Sequence, residues 1–457
     1  MRNRYLYITI LSFLGFSTES CAQVVVQPPQ LVVSILVDQL RSDYLESYLP
    51  IYTHDGLKRI YDEGVVCTNA AYRFTPVDRA SATASLYTGS SPFYHGITAT
   101  EWFNRQTLRP QHILSDKNVL TPAKLAVSTL TDELKVSTNG EARIFAFAPY
   151  SECAILSAGH AANGASWTIK DAWVTADCYT PKNQWLKDFC RQYIPDADIN
   201  MSIVKAAIAC IDHEGLGKDD KTDMLCLTMI AQPNIDSYLS LDNALATFIG
   251  NLTQKIPLER LLFVITGIGT REEEERISDN DRFNIPTGKF SISRTANLLN
   301  MYLGAMYGSG QFVEAIHQNQ LFLNHKLITQ KNINLGDILQ RAQEFIQQLS
   351  GVRNVYTSQQ LLASESQQVE YIRNGYYKED GGDLLIEIAP GWELVNESTH
   401  TSSISRIGNI PFPILFYGAG IKPQRIVAPV GADQIAPTVA RYIRIRAPNA
   451  CKGAPLF

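Results

Sequence analysis

The feature that most constrains this chain is a recurring pattern of short, continuously apolar, β-branched runs separated by helical patterns. The runs are Leu31–Val37, Ile144–Ala148, Met224–Met229, Leu261–Thr266, Leu384–Ile388 and Pro413–Tyr417. A run with no polar alternation fits a strand buried on both faces, which is the situation inside a largely parallel sheet covered by helices. Helical patterns fall at Leu57–Asp62 (stopped by Gly64), Ala123–Leu134 and Asp433–Ile443. Such alternation predicts a three-layer α/β/α sandwich. In that architecture ligand-handling residues sit at the carboxyl ends of strands. Asp38, directly after Leu31–Val37, occupies such a position.

The middle of the chain reads differently. Residues 283–377 carry helical signals at Leu298–Tyr307 and a stripe of Leu335, Ile338, Leu339, Ala342, Phe345, Ile346 and Leu349, ended by Gly351. Polar, Asn/Gln-rich turns separate these elements. The expected organisation is therefore a core over 23–282, an inserted α+β cap over 283–377, and a final core segment over 378–457.

With 457 residues, 45% hydrophobic and 19% charged, the chain is large enough for two or three domains of ~150 residues. It is too apolar for intrinsic disorder. A net charge of −5 without any cationic run excludes a nucleic-acid binder. Residues 1–22 read as an export signal: Arg2 and Arg4 precede an apolar stretch from Leu6 to Phe16, and Ser20-Cys21-Ala22 resembles a cleavage site. That stretch is shorter than the ~20 residues a bilayer span needs, and no later segment qualifies. The expected location is the periplasm, with lipid anchoring through Cys21 as the alternative. Of eight cysteines none forms a CxxC pair, so neither a zinc ribbon nor a thioredoxin-like motif is encoded.

Five segments resemble the alkaline phosphatase superfamily, in the branch of exported bacterial phosphate-irrepressible phosphatases and type I phosphodiesterase/nucleotide pyrophosphatases. They are LVVSILVDQLRSDYL (31–45), SLYTGSSPFYHGI (85–97), AILSAGHAANGASW (154–167), GGDLLIEIAPGWELVNE (381–397) and GADQIAPTVARYIRI (431–445). The resemblance implies the sandwich fold and hydrolysis of phosphate esters by two zinc ions, which lower the nucleophile's pKa and stabilise the leaving oxygen. It also implies a ligand inventory: an Asp after the first strand, a Thr or Ser nucleophile, an Asp-x-x-x-His, an Asp-His before Gly, and a late His.

Matched residue by residue, that inventory is mostly missing. Asp38 keeps the first position, and His400 is the candidate for the late His. The nucleophile position falls on Arg79, whose guanidinium stays protonated and cannot attack. The Asp-x-x-x-His positions fall on Pro233 and Ser237, and the Asp-His-Gly on Gly267-Ile268-Gly269. The groups contacting phosphoryl oxygens fall on Thr100, Tyr150 and Glu152. Each zinc would keep one protein ligand where about three are needed, so no zinc or other cofactor is expected. Without a dication Asp38 needs a counter-charge, and Arg79 is expected to form a salt bridge with it, bidentate if the geometry allows.

Three other readings stay open at this level. Arg79 at a helix start could hold a small anion, although Asp38 and Glu152 oppose it. Asp78, Ser81 or Thr83 could replace the nucleophile with His400 as base, against the bland reading of Ser and Thr as helix-start residues. The acidic run Arg271–Arg276, with Asp279 and Asp281, reads as a solvated loop without EF-hand spacing. His95 and His160 read as structural. The sequence thus predicts a non-catalytic, exported phosphatase-like protein acting as a binding or scaffold component of a bacterial cell envelope, its partner an envelope protein or a small anion. Exposed Tyr376, Tyr377 or Trp102 would mark a partner surface. The alternative is a phosphate-ester hydrolase, a phosphomonoesterase or phosphodiesterase, with a rebuilt site.

Overall fold

The structure, a computed structural model, describes residues 27–117, 119–179, 184–268, 286–364, 366–397, 399–404 and 410–457. The expected export signal with Cys21, the residue Gly269 and the acidic run 271–281 lie outside them.

The main sheet is built on β1 (Leu31–Asp38), β2 (Val65–Ala71), β3 (Ile144–Ala148), β4 (Gly164–Ile169), β5 (Ala172–Thr175), β6 (Asp223–Ile230), β7 (Leu261–Ile268), β8 (Phe412–Gly418) and β9 (Gln424–Ile426). Their order is β9-β2-β8-β7-β1-β6-β3-β4-β5, with Val430–Gly431 pairing β2 as well. The centre, β7-β1-β6-β3-β4, is parallel throughout. Two strands reverse: β8 against β7 and β2, and β5 against β4.

All eight residues of β1 are buried, and its six apolar ones divide between two cores. Val32 and Leu36 join one apolar cluster. Leu31, Val33, Ile35 and Val37 join the other, on the opposite face. This is the period-2 geometry of a strand with helices above and below. Each fully buried aliphatic side chain contributes about 1.5–3 kcal/mol of transfer free energy, so the sandwich rests mainly on these two layers. The expected helix over Ala123–Leu134 starts later than its apolar pattern suggests. Thr129 and Asp132 form a capping box, and the helix runs Leu130–Ser137. Asp433–Ile443 splits into a 3₁₀ turn and the helix Ile435–Tyr442.

A second unit carries its own core. Helices Ile292–Tyr307 and Leu335–Gln347 pack on a four-stranded sheet ordered Val313–His317, Gln320–Leu323, Leu384–Ile388, Val352–Thr357. The predicted stripe is its inner face: Ile338, Leu339, Ala342 and Ile346 are buried. The run Leu384–Ile388, expected in the main sheet, pairs instead with Gln320–Leu321 and with Val352–Thr357, antiparallel to both. A three-stranded sheet then joins Gly288–Ser291, Trp392–Asn396 and Thr401–Ile404. Strands on both sides of residue 377 therefore share these sheets, and the inserted unit extends to Ile404.

Candidate functional site

The residues singled out at the end of β1 converge at the carboxyl edge of the parallel strands. Asp38 ends β1, 3% exposed, in register with Ile230 on β6 and Ile268 on β7. Facing it is α1 (Arg79–Thr88), begun by Asp78. The Asp78 carboxylate accepts from Ser81 N at 3.0 Å, and Ser81 Oγ accepts from Asp78 N at 2.9 Å. The second carboxylate oxygen of Asp78 accepts from Thr100 N (2.8 Å) and Thr100 Oγ1 (2.6 Å). Asp78 and Ser81 are thus spent on the helix start, satisfying amides that an α-helix leaves open. Thr83 is fully buried one turn further on, donating toward Cys153 Sγ at 3.7 Å.

Arg79 is the first helical residue. Its Nη1 lies 3.5 Å from Asp38 Oδ2 and its Nε 3.2 Å from Glu152 Oε1. Its guanidinium carbon sits 3.8 Å from the centroid of the Tyr150 ring. The expected salt bridge with Asp38 is present but not bidentate: the planar fork is divided between two carboxylates and stacked on an aromatic face, a geometry suited to Arg and not to Lys. Tyr150 directly precedes α2 (Ser151–Ala158) and Glu152 is its second residue, so three elements meet on one side chain. Burial works against the charge on Arg79, but Glu152 and then Asp38 more than offset it, and its pKa is raised. Burial likewise pushes the Tyr150 hydroxyl up, aided by Asp38.

Most of the remaining positions of the resemblance carry no donor atom free for an ion. Ser237 is in the first turn of α3 (Ile235–Thr253), its Oγ accepting from Gln232 N at 2.8 Å and its N bonding Asn234 Oδ1 at 2.9 Å. Pro233 has no donor side chain. Gly267 is packed so tightly that a Cβ would lie 2.7 Å from Leu40 O and 2.8 Å from Phe412 Cβ. Its carbonyl accepts from Tyr72 OH at 2.9 Å. Ile268 is 1% exposed in the same apolar cluster as Tyr72 and Phe412, whose rings are 4.9 Å apart. His400 lies on the exposed turn before Thr401–Ile404, with a left-handed backbone (φ 53°). Among the described residues no group of three or more His, Cys, Asp or Glu is arranged to hold a metal ion.

Two other histidines are held in structural roles. His95 Nδ1 accepts from Ile97 N at 3.1 Å, so its Nε2 carries the proton toward Ser85 Oγ, 2.9 Å away. That tautomer cannot accept a proton from Ser85, which excludes a Ser–His nucleophile there. His160 places Nδ1 2.7 Å from Asp132 Oδ2 and Nε2 3.1 Å from Leu125 O. Of the aromatics expected to be exposed, Tyr376 is buried (3%) and donates to Gly382 O. Trp102 is partly buried, with Lys124 Nζ 3.3 Å from its ring centroid. Tyr376 is therefore closed to a partner, whereas Trp102 and Tyr377 are partly exposed.

Sequence reasoning placed Glu152 among lost phosphate contacts and missed that it shares the guanidinium. The readable signal was an acid two residues into a helix, where the dipole favours it.

The model for type I phosphodiesterase / nucleotide pyrophosphatase matches residues 32–409. The chain belongs to that family. Within the alkaline phosphatase superfamily it falls in the PafA-like branch. Alkaline phosphatase PafA of Elizabethkingia meningoseptica is 24% identical, with 94% of each chain covered. A Myroides odoratus protein described as a calcium-transporting ATPase is 26% identical, with 96% of each covered. The crystal structure of wild-type PafA superposes with a TM-score of 0.81, at 24% identity, over 94% of this chain and 99% of that one. A murine ectonucleotide pyrophosphatase/phosphodiesterase 5, in an inactive form with AMP, gives 0.53 at 12% identity, over 92% and 96%. These likenesses establish the fold of this phosphodiesterase-family chain. No helix among its described residues is long and apolar enough to cross a membrane.

Proposed function

We propose that this family member has lost two-zinc phosphate-ester hydrolysis and serves as a non-catalytic binding or scaffold protein, exported to the cell envelope. The observation that carries the reading is Arg79. At the nucleophile position it is a permanent cation, and it engages both carboxylates that face it. A zinc pair would need about three donors per ion. The positions that would supply them are a buried Ile268, a sterically closed Gly267, a donorless Pro233 and a Ser237 committed to its helix start. The residues present do not fit the metal pair.

A rebuilt hydrolase finds no comparable support. Asp78 and Ser81 are consumed by capping, Thr83 is sealed from solvent, and the Ser85–His95 pair has the wrong tautomer. Anion capture at Arg79 is opposed by Asp38 and Glu152, both within 4 Å of the guanidinium.

The test is metal content by mass spectrometry with turnover of an aryl phosphate and an aryl phosphodiester, on the wild type and Arg79→Thr. The expected result is substoichiometric zinc and no turnover above the blank for either protein, because restoring a hydroxyl does not restore the ligands. Stoichiometric zinc in the wild type, or turnover by it, overturns the proposal.

A further inference from the structure

A second buried carboxylate gathers charges at the junction between the inserted unit and the core. Asp383, 4% exposed at its side chain, precedes the strand Leu384–Ile388. Its Oδ1 lies 2.8 Å from His325 Nε2. Its Oδ2 accepts from Leu323 N at 2.7 Å and faces Arg105 Nη2 at 3.1 Å. Arg105 also donates to Gly381 O at 2.8 Å, and its guanidinium lies 4.9 Å from the Phe322 ring centroid. Arg105 sits in the turn of a core hairpin, Glu101–Asn104 with Arg109–His112. The residue before that hairpin is Thr100, which holds Asp78 at the start of α1. A short series of bonded contacts therefore joins His325 to the residue preceding Arg79.

We propose that the His325–Asp383–Arg105 cluster is a pH-responsive latch. It clamps the 101–112 hairpin, and through Thr100 the mouth of the Arg79 pocket, against the inserted unit while His325 is protonated, and loosens when His325 is neutral. The buried Asp383 carboxylate sets that direction, since it receives both His325 and Arg105. Besides Asp383 and Arg105, Glu314 on Val313–His317 acts electrostatically on His325 and Arg105, with Lys326 beside it. Arg105 and Lys326 thus already balance the two carboxylates, and what protonation changes is the 2.8 Å contact of His325 Nε2 with Asp383 Oδ1, a charge-assisted bond with a protonated imidazole and a weaker one with a neutral imidazole. The other ionisable neighbours do not switch with it. Burial pushes the Tyr376 hydroxyl up to about 12. Burial lowers His317, against the opposing effect of Glu101, so it shifts the opposite way from His325. The hydrogen bond to Asp383 raises His325 above its ordinary 6.5, with burial opposing, so the change falls above that value. His325 is half exposed (49%), which gives solvent protons access. The latch stands whether or not the pocket is catalytically silent.

Hydrogen–deuterium exchange on the full chain tests it, at about pH 6 and about pH 8.5, with intrinsic rates corrected. Protection of the Leu323 amide and of peptides spanning 101–112 is expected to fall by roughly threefold or more in the wild type as pH rises. In His325→Gln it should be the same at both values. Asp383→Asn should lower it at both. Equal pH dependence in wild type and His325→Gln, or unchanged hairpin exchange in Asp383→Asn, overturns the proposal.

Discussion

Arg79 and Glu152 meet with Nε 3.2 Å from Oε1, while the other arm of the same guanidinium reaches Asp38. Both carboxylates are nearly inaccessible (4% and 6% exposed), whereas Arg79 is one-third exposed. Removing one partner of a buried pair strands the other charge and costs about 3–5 kcal/mol; solvent screening of the open side of Arg79 lowers this to about 2–3. Arg79→Met should lose that much in urea unfolding. Arg79→Lys should recover less than half, since a point charge cannot serve two carboxylates and a ring face together. Wild-type stability in Arg79→Met would refute this account of the pocket.

Much of the sandwich is readable from local apolarity, because β1, β6 and β7 are buried on both faces and their sequences say so. Leu384–Ile388 exposes the limit. It has the same composition, but its burial comes from the helices of the inserted unit. A run of aliphatic residues reports that a strand is covered, not which sheet it joins. The site is legible in its charges: Arg79, expected beside Asp38, implies an ion pair. The division of the guanidinium between Asp38 and Glu152 is not, since it depends on how α2 is set against α1, a contact between residues 73 positions apart.

The inserted unit touches the loop that leads into α1 at one unusually close point. Asn374 Nδ2 donates to Arg73 O at 3.1 Å, and a Cβ on Gly375 would lie 2.0 Å from Thr75 O. No side chain fits there without moving backbone. Gly375→Ala should destabilise the chain by about 2–4 kcal/mol, in the range of overpacked sites. The loop 73–78 should also gain exchange. A neutral effect on melting temperature would show that this contact yields easily.

His160 and Asp132 provide a signature in pH. The hydrogen bond that His160 donates to Asp132 raises the histidine above 6.5, against the opposing effect of burial. Burial disfavours the Asp132 carboxylate, but bonds from His160 and Thr129 more than offset it and its pKa is lowered. A raised folded-state histidine stabilises fully below about pH 6.5 and loses that contribution as pH rises through its folded value. The carboxylate's contribution is present above about pH 3.9 and fades as pH falls through its lowered value. The melting-temperature gap between wild type and His160→Gln should therefore be widest near pH 5–6 and narrow toward pH 9. A gap that stays constant would remove the charge from this explanation.

His95 acts with the opposite sign. It is fully buried beside Ser85, and burial pushes its pKa down to about 3. The unfolded chain takes up a proton near 6.5 that the folded chain refuses until about 3. Between those values the unfolded state binds more protons, so this residue lowers stability as pH falls, by about 1.4 kcal/mol per pH unit well below 6.5. His95→Gln should cost stability at neutral pH, because the Ile97 amide and Ser85 hydroxyl lose well-placed partners. Its unfolding free energy should then converge on that of the wild type as the medium is acidified to about pH 4.5, with urea midpoints as the measure. Acid limbs that run parallel in the two proteins would mean that His95 is protonated in the folded state and that the tautomer assigned from Ile97 N is wrong.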